Sequence, residues 1–527
     1  MAVRVYHVIG FLGLNICLFA GQEESLEQHL SSARKLHAQA SYKDAEKEYL
    51  AAVQDAETLG PEDVRLAKTW NNLATLYHDE GRYGEAEKLF LRAAALWERS
   101  LGPDSQDLAS CWNNLAALYR DQGRYAEAEP LYLRSLASRE RMFTPDHPNL
   151  QASWNNLGEL YISMGRYSQA EPLLRKALAA REKELGPNDR DISPILGNLG
   201  LLFRAQGKYP EAEQTFRRAL KIQRETLEKD HPNIAIGLNN LAELLQIEGR
   251  YSESDALHKE ALAIKETSLG PDHPGVANTL NNLADLYMRQ DRYAEAEPLL
   301  RRSMRIYEKT LPAESPRQAA VYSNLALLDN AVGNYVEAEA MFRKALAIEE
   351  KSLGPNHRDV GACLKNMAQF FTLRGRYPAA EEYYGRAIAI FEKSLGPDDL
   401  LVAATLEGKA ELLWQEKRLG QARRELERAI TIREKKPGQD RAIAVNLNNL
   451  AFFYVKELRY SEAEPIALRA SALLERTTGP DYPDVAANLQ ILGRIRSAQG
   501  RYQEAAPLLK RSLDIRNAAM GLVTSAK

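Results

Sequence analysis

The sequence predicts an all-α fold, a right-handed superhelix of about twelve helical hairpins stacked in chain order. An Asn-Asn-Leu-Ala segment, or a near copy of it, recurs every 42 residues from Asn71 to the variant at Lys365. A Gly-Arg-Tyr segment recurs with the same 42-residue step from Gly81 onward, with some variants. Units of this length bury their apolar faces only by stacking on one another, so the period itself indicates a repeat array.

Within one unit, two apolar stripes have the spacing of α-helices. The first stripe follows the i, i+3, i+4, i+7 pattern and consists of Trp70, Leu73, Ala74 and Tyr77. The second stripe consists of Ala86, Leu89, Phe90, Ala93 and Trp97. Gly81 lies between the stripes and ends the first helix, because glycine adopts positive φ without strain. Each unit is therefore predicted to be helix, tight turn, helix and loop.

These positions resemble the signature of the tetratricopeptide repeat. The residues that carry the resemblance are Trp70, Leu73, Ala74, Tyr77, Ala86, Phe90 and Ala93. The 42-residue period, the Asn-Asn-Leu-Ala segment and the Leu-Gly-Pro-x-His-Pro loop resemble more specifically the kinesin light chain type of this repeat. The resemblance implies an array that binds other proteins, with the first helix of every hairpin on the concave surface.

The repeat markers divide the chain into six segments. These are a signal peptide (1–21), an N-terminal capping hairpin (22–60), a regular array (61–396), a degenerate repeat (397–440), C-terminal repeats (441–518) and a tail (519–527). The degenerate repeat has lost the Asn pair at Glu407-Gly408 and the glycine of the turn at Lys417. We therefore expect a kink there.

The first 21 residues have the pattern of an export signal. Arg4 supplies a positive charge, and residues 8–20 form a mostly apolar stretch that is too short to span a bilayer. The mature chain is therefore expected to be periplasmic or secreted. Cys17 would attach it to a membrane only if that cysteine carried a lipid, and Ile16 before it is bulkier than a lipoprotein motif requires.

Composition and motifs argue against catalysis, cofactors, metals and nucleic acid. The 69 Lys and Arg residues nearly balance 72 Asp and Glu residues, so no basic field for phosphate is indicated. No Cys-x-x-Cys, phosphate-binding loop or nucleophile elbow occurs. One histidine position recurs in the inter-unit loops, at His147, His231, His273 and His357. Neighbouring units would hold these rings roughly 10 Å apart, whereas zinc ligands lie about 2 Å from the metal, so we interpret them as turn residues.

The Asn pair is the best candidate for function, because asparagine is a poor helix former yet recurs within helices. Two interpretations stay open: the amides bind the backbone of an extended peptide, or the second Asn of each pair bonds to the adjacent unit. Variable charged residues one and two turns later are candidates for specificity. The predicted peptide-binding groove comprises Asn71, Asn113, Asn114, Arg120, Asn155, Asn156, Glu159, Arg204, Asn239, Asn240, Glu243, Asn281, Asn282, Asp285 and Arg289.

The function predicted from these features is a non-enzymatic scaffold that holds extended or helical segments of other proteins in its groove. The alternative is an architectural array of the cell envelope that assembles on itself without a dedicated peptide ligand. The sequence does not decide between them.

Overall fold

The computed structural model describes residues 22–144, 146–477 and 482–519, and all regular structure in this part of the chain is helical. The expected signal segment, Cys17 and most of the tail lie outside the described residues. The chain divides into two compact units, one extending to His357 and one beginning at Arg358, with residues 206–208 grouped with the second. The predicted class, a helical-repeat superhelix, is confirmed.

The helices of each unit alternate between first and second helices of successive hairpins. The first unit contains α1 (22–38), α2 (Tyr42–Thr58), α3 (Val64–Glu80), α4 (Tyr83–Leu101), α5 (Gln106–Asp121), α6 (Tyr125–Met142), α7 (Pro148–Ser163), α8 (Tyr167–Leu185), α9 (Ser193–Ala205), α10 (Tyr209–Thr226), α11 (Pro232–Ile247), α12 (Tyr251–Leu269), α13 (Pro274–Met288), α14 (Tyr293–Thr310), α15 (Pro316–Val332) and α16 (Tyr335–Leu353). A 3-10 turn, Arg190–Ile192, precedes α9. The second unit contains α17 (Arg358–Leu373), α18 (Tyr377–Leu395), α19 (Leu400–Gln415), α20 (Leu419–Glu434), α21 (Asp440–Lys456), α22 (Tyr460–Thr477), α23 (Pro483–Ala498) and α24 (Tyr502–Ala519).

The hairpin predicted from the apolar stripes is present as α3 and α4. Trp70, Leu73 and Tyr77 are buried on α3, and Phe90 is fully buried on α4. Ala74 is also fully buried, where the two helices approach closely. Gly81 ends α3 with φ of 82°, and its N–H donates to the carbonyl of His78. The local pattern therefore specifies both the helices and the turn between them.

Three of the recurring loop histidines, His147, His231 and His273, cap the helices that follow them. The Nδ1 atom of His147 accepts from the N–H of Asn149 at 3.2 Å, and Nδ1 of His273 accepts from the N–H of Gly275 at 2.9 Å. In each case the proline after the histidine is the first helical residue, where its missing N–H is not needed. These histidines therefore occupy N-cap positions, in agreement with the turn interpretation.

The turns at Gly81 and Gly123 also form a cluster that we call the turn clasp, in which the turn arginine contacts a tyrosine of the preceding helix and two glutamates. Arg124 stacks on the ring of Tyr119 at 4.0 Å and pairs with Glu127 at 2.6 Å. It also reaches back to Glu87 of the preceding hairpin at 2.9 Å, and Glu87 accepts from the Tyr119 hydroxyl. The hydrogen bond from Arg124 holds the pKa of Glu127 below its ordinary value. The turn clasp thus joins adjacent hairpins through charge-assisted bonds.

The degenerate repeat folds as the regular helices α19 and α20. Lys417 replaces the usual turn glycine and adopts φ of 61°, a conformation that is unfavourable for a residue with a side chain. The kink expected between 397 and 440 stays a prediction. Of the described helices, none combines the length and the apolar character needed to cross a membrane.

Candidate functional site

The first helices of the hairpins form the inner face of the first unit. Successive first helices contact one another directly, as α5 does with α7 and α7 does with α9. Successive second helices approach each other less closely. A row of helices that are closer together on one side lies on the inside of the curve, so the Asn-bearing helices line its concave face.

The Asn pairs of adjacent hairpins are connected by hydrogen bonds across the inner face. The second Asn of one pair donates its Nδ2 to the Oδ1 of the first Asn in the preceding hairpin, and we call this series the Asn ladder. The bonds run from Asn114 to Asn71 (3.2 Å), Asn156 to Asn113 (3.0 Å), Asn198 to Asn155 (3.0 Å) and Asn324 to Asn281 (2.9 Å). The second Asn therefore has the stacking role that was one of the two interpretations.

The Asn ladder uses only half of each amide. Among the described residues, Nδ2 of Asn71, Asn113 and Asn281 finds no partner, whereas Nδ2 of Asn155 donates to its neighbour Asn156 at 3.4 Å. Because these side chains are half-buried, their remaining donors are available at the surface of the inner face. An amide carries two donor hydrogens and two acceptor lone pairs, so one bond does not exhaust it.

The charged residues predicted to choose a ligand are paired with one another. Arg120 contacts Glu159 of the next hairpin at 2.6 Å, and Arg204 contacts Glu243 in the same way at 2.8 Å. Asp285 accepts from Arg289 on its own helix at 2.9 Å. The arginine–glutamate pairs lie 39 residues apart, and this regular spacing of opposite charges is a signal that sequence reasoning missed.

Burial also affects the pKa of Asp121, the residue next to Arg120. Asp121 is desolvated, which by itself would raise its pKa, but a hydrogen bond with His78 and the nearby charge of Arg120 hold that pKa below the ordinary value. His78 contacts Asp121 at 2.9 Å across one repeat step. Asp121 is therefore held by His78 and Arg120 together.

Asn239 does not line the inner face as predicted. Its amide is buried with 8% exposure, and it contacts Nδ1 of His258 and the hydroxyl of Thr279, each at 3.0 Å. His258 occupies the position that Phe216 has one hairpin earlier, and its ring draws the Asn239 amide inward. Burial lowers the pKa of His258 to about 4. Asn282 consequently donates to Glu243 at 3.0 Å instead of to Asn239.

Asn240 lies on the inner face but has no ladder partner. The residue that would accept its hydrogen bond is Gly197, which has no side chain. Among the described residues the side chain of Asn240 makes no hydrogen bond. The Asn ladder is therefore interrupted at Gly197 and Asn240, and we call this place the ladder gap.

The described residues hold no cluster that suggests metal binding, and the thiol of Cys111 is unreactive. No cluster of three or more His, Cys, Asp or Glu side chains in this part of the chain could hold a metal ion. The thiol of Cys111 donates to the carbonyl of Phe90 at 3.3 Å, and burial raises its pKa to about 12. A thiol in that state is not a nucleophile at neutral pH.

A family model described as tetratricopeptide repeat matches nearly the whole array. The matched ranges are 65–141, 108–183, 149–225, 191–267, 233–309, 317–393, 362–435 and 442–518. The chain belongs to the tetratricopeptide repeat family. Its helical pairs, glycine turns and small residues at the hairpin contacts are those of tetratricopeptide repeats, and proteins of this family are scaffolds for protein interaction.

Solved structures with similar repeats include two of kinesin light chain type. One holds nearly identical TPR-like repeats of a kinesin light chain from Podosopora anserina, with 26% identity over 38% of this chain and 94% of that chain and a TM-score of 0.32. BtubC (BKLC) from P. vanneervenii has 20% identity over 54% of this chain and 95% of that one, with a TM-score of 0.32. Yeast Tom70 has 16% identity over 94% and 99%, with a TM-score of 0.44. No curated protein matches the sequence.

Proposed function

We propose that the inner face of the first helices binds a segment of another protein in extended conformation. The supporting observation is the half-used Asn ladder. The first Asn residues Asn71, Asn113 and Asn281 each offer a donor, and the second Asn that bonds to each of them retains an acceptor. An extended peptide has carbonyl and N–H groups free to bond these amides, whereas a helix has already bonded its own. We therefore favour an extended guest over a helical one.

The paired charges support a mainly uncharged mode of recognition. Arg120 with Glu159 and Arg204 with Glu243 satisfy each other, so a charged guest would have to displace an existing partner. Amide contacts to the guest backbone then contribute most of the affinity, and pockets between the helices provide its sequence preference.

Two substitutions test the amide contacts without removing the stacking bonds. In Asn71→Asp and Asn113→Asp, the remaining carboxylate oxygen still accepts from Asn114 and Asn156, but the free donor is lost. We expect the double variant to bind 12-residue peptides, selected from a random display library on the parent chain, at least tenfold more weakly. Fluorescence anisotropy of the labelled peptides measures this, and circular dichroism monitors the fold.

Asn188→Asp is the matched control for the added charge, because Asn188 is exposed in the loop before α9. It should leave peptide affinity unchanged. Equal binding by the double variant and the parent, or a library that gives no binding peptide, would contradict the proposal. The architectural alternative predicts the second result together with self-association of the chain in sedimentation.

A further inference from the structure

A cavity of about 730 Å³ opens at the ladder gap, between α9 and α11, with α10 as its floor. It lies entirely within the first unit and on the inner face. Its walls include Gly197, Leu201 and Asn240, and Phe216 lies at its base. This volume falls in the range of ligand pockets, which is roughly 300–1,000 Å³.

Three glycines lie in the helices around this cavity, and packing explains why glycine occupies only two of these positions. A Cβ on Gly200 would collide with the ring of Phe216, and a Cβ on Gly237 would lie 2.5 Å from Oε1 of Gln223. Packing therefore explains both. A Cβ on Gly197 would meet no atom within 4 Å. Glycine weakens a helix interior, so Gly197 is an unfavourable residue that nothing inside the protein compensates.

Polar atoms without partners point to a ligand in the same cavity. Ser193 is 4% exposed and Gln223 is 8% exposed, and both line the cavity. Neither Oγ of Ser193 nor Oε1 of Gln223 has a hydrogen-bond partner among the described residues. The Asn240 side chain at the ladder gap adds a third polar group without a partner. Buried polar groups are almost always satisfied, so the unpaired atoms of Ser193 and Gln223 point to a ligand that bonds them, and half-buried Asn240 offers a donor beside them.

Charge and shape limit what that occupant can be. The charged residues at the rim already have partners: Glu159 has Arg120, and Asp191 has both Arg181 at 2.9 Å and the rim residue Arg190 at 3.8 Å. The apolar wall includes Leu201 and Ile236, and Ile236 is 52% exposed. The cavity thus combines an apolar wall with three uncharged polar groups: the Ser193 hydroxyl, Oε1 of Gln223 and the amide of Asn240.

We infer that the cavity at the ladder gap takes one aliphatic residue of the guest polypeptide together with its flanking peptide group. The peptide N–H donates to Oε1 of Gln223, and Nδ2 of Asn240 or the Ser193 hydroxyl donates to the peptide carbonyl. The aliphatic side chain packs against Leu201 and Ile236. This inference rests on the proposed function and adds the one position at which the guest sequence is read.

Gly197→Asn tests the inference because it should fill the gap without harming the fold. The new side chain has open space and supplies the acceptor that Asn240 lacks, which restores the Asn ladder. We expect the full chain to bind N-acetyl-leucine methylamide saturably in ligand-observed NMR and to bind the aspartate and lysine analogues at least tenfold more weakly. Gly197→Asn should abolish leucine amide binding and weaken the selected peptides at least tenfold.

Gly84→Asn is the matched control, because a Cβ on Gly84 also meets nothing within 4 Å and Gly84 lies on a second helix, away from the cavity. It should bind like the parent. Gly237→Ala, which displaces the Gln223 carbonyl, should also lose binding while circular dichroism stays unchanged.

Unaltered binding by Gly197→Asn, or a preference for a charged analogue, overturns the inference. Peptides that bind the parent and Gly197→Asn equally would overturn the cavity assignment and leave the proposed function standing. A leucine amide that binds where no library peptide does would instead refute the groove and support the cavity.

Discussion

The steps from α5 to α7 and from α9 to α11 use the same two ladder positions with opposite results. In the first, Asn156 donates to Asn113 at 3.0 Å and the two helices are connected. In the second, Gly197 supplies no acceptor, Asn240 makes no side-chain bond among the described residues, and a cavity of about 730 Å³ opens. A repeated bond can therefore be removed at one step of an array while the neighbouring steps are retained.

The difference between these two steps shows that the hairpins stay stacked even where the ladder bond is absent. The turn clasp and the apolar stripes hold the hairpins together, so no single ladder bond is essential for the stack. Under the proposed function, a position freed from stacking can contact the guest instead. The second irregular step agrees with this, because His258 draws Asn239 inward and Asn282 takes Glu243 as a different acceptor.

The largest expected effect is a loss of folding stability at low pH, caused by His258. This residue distinguishes the irregular part of the ladder from the regular part. Its folded-state pKa of about 4 lies below the ordinary value near 6.5, so the folded state resists protonation. Stability is therefore fully present above pH 6.5 and falls as the pH drops from 6.5 toward 4, by roughly 3 kcal/mol. Denaturant titrations between pH 4 and 7 measure the loss.

The matched variant for this test is His258→Phe, since phenylalanine occupies the equivalent position at Phe216 and Phe342. The variant should have a distinctly flatter stability profile over the same interval. If parent and variant lose stability in parallel, other groups cause the pH dependence and the role given to His258 is wrong.

A smaller effect on stability is expected from removing the amide donor of the second Asn at each of the two steps compared above. Asn156→Ala loses the bond to Asn113 at 3.0 Å and the longer contact from Asn155 at 3.4 Å, whereas Asn240→Ala loses none, and both gain the same helix propensity. We expect the free energy of unfolding of Asn240→Ala to exceed that of Asn156→Ala by about 1 kcal/mol, which is the net value of one hydrogen bond. Hydrogen exchange of the amides in α7 and α11 reports each step separately, and equal effects would remove the basis of the comparison.

The smallest effect is the coupling between the two gap positions. Gly197→Asn should stabilise the chain in the presence of Asn240, and less so in the Asn240→Ala background. A double-mutant cycle with Gly197→Asn and Asn240→Ala should give a coupling free energy of about 0.5–1 kcal/mol in denaturant unfolding. Additive effects would mean that the introduced Asn does not accept from Asn240.

The sequence predicts the hairpins well because their determinants are local. Stripe spacing, Gly81 and the loop prolines define helices and turns within a few residues of one another, and the structure confirms them. The ladder bonds are less predictable, because they join side chains 43 residues apart whose directions depend on how hairpins stack. The stacking role of the second Asn was nevertheless one of two interpretations, suggested by its constancy.

The inward turn of Asn239 and the cavity at Gly197 were not predicted. The first depends on His258, which lies on a different helix and in sequence is only one more residue of an apolar stripe. The second depends on the absence of a side chain, and a glycine in a repeat pattern resembles ordinary variation. In both cases the decisive partner is distant in sequence, and only the packed structure identifies it.

Every bond of the Asn ladder described here runs from a later hairpin to an earlier one. The inner face therefore has a direction, because its spare donors and acceptors follow a fixed order from the amino to the carboxyl end. A polypeptide laid along it in one direction would meet complementary groups, and the same polypeptide reversed would meet them out of phase. Under the proposed function, the array would therefore distinguish the two orientations of a guest chain even where its side chains are ignored.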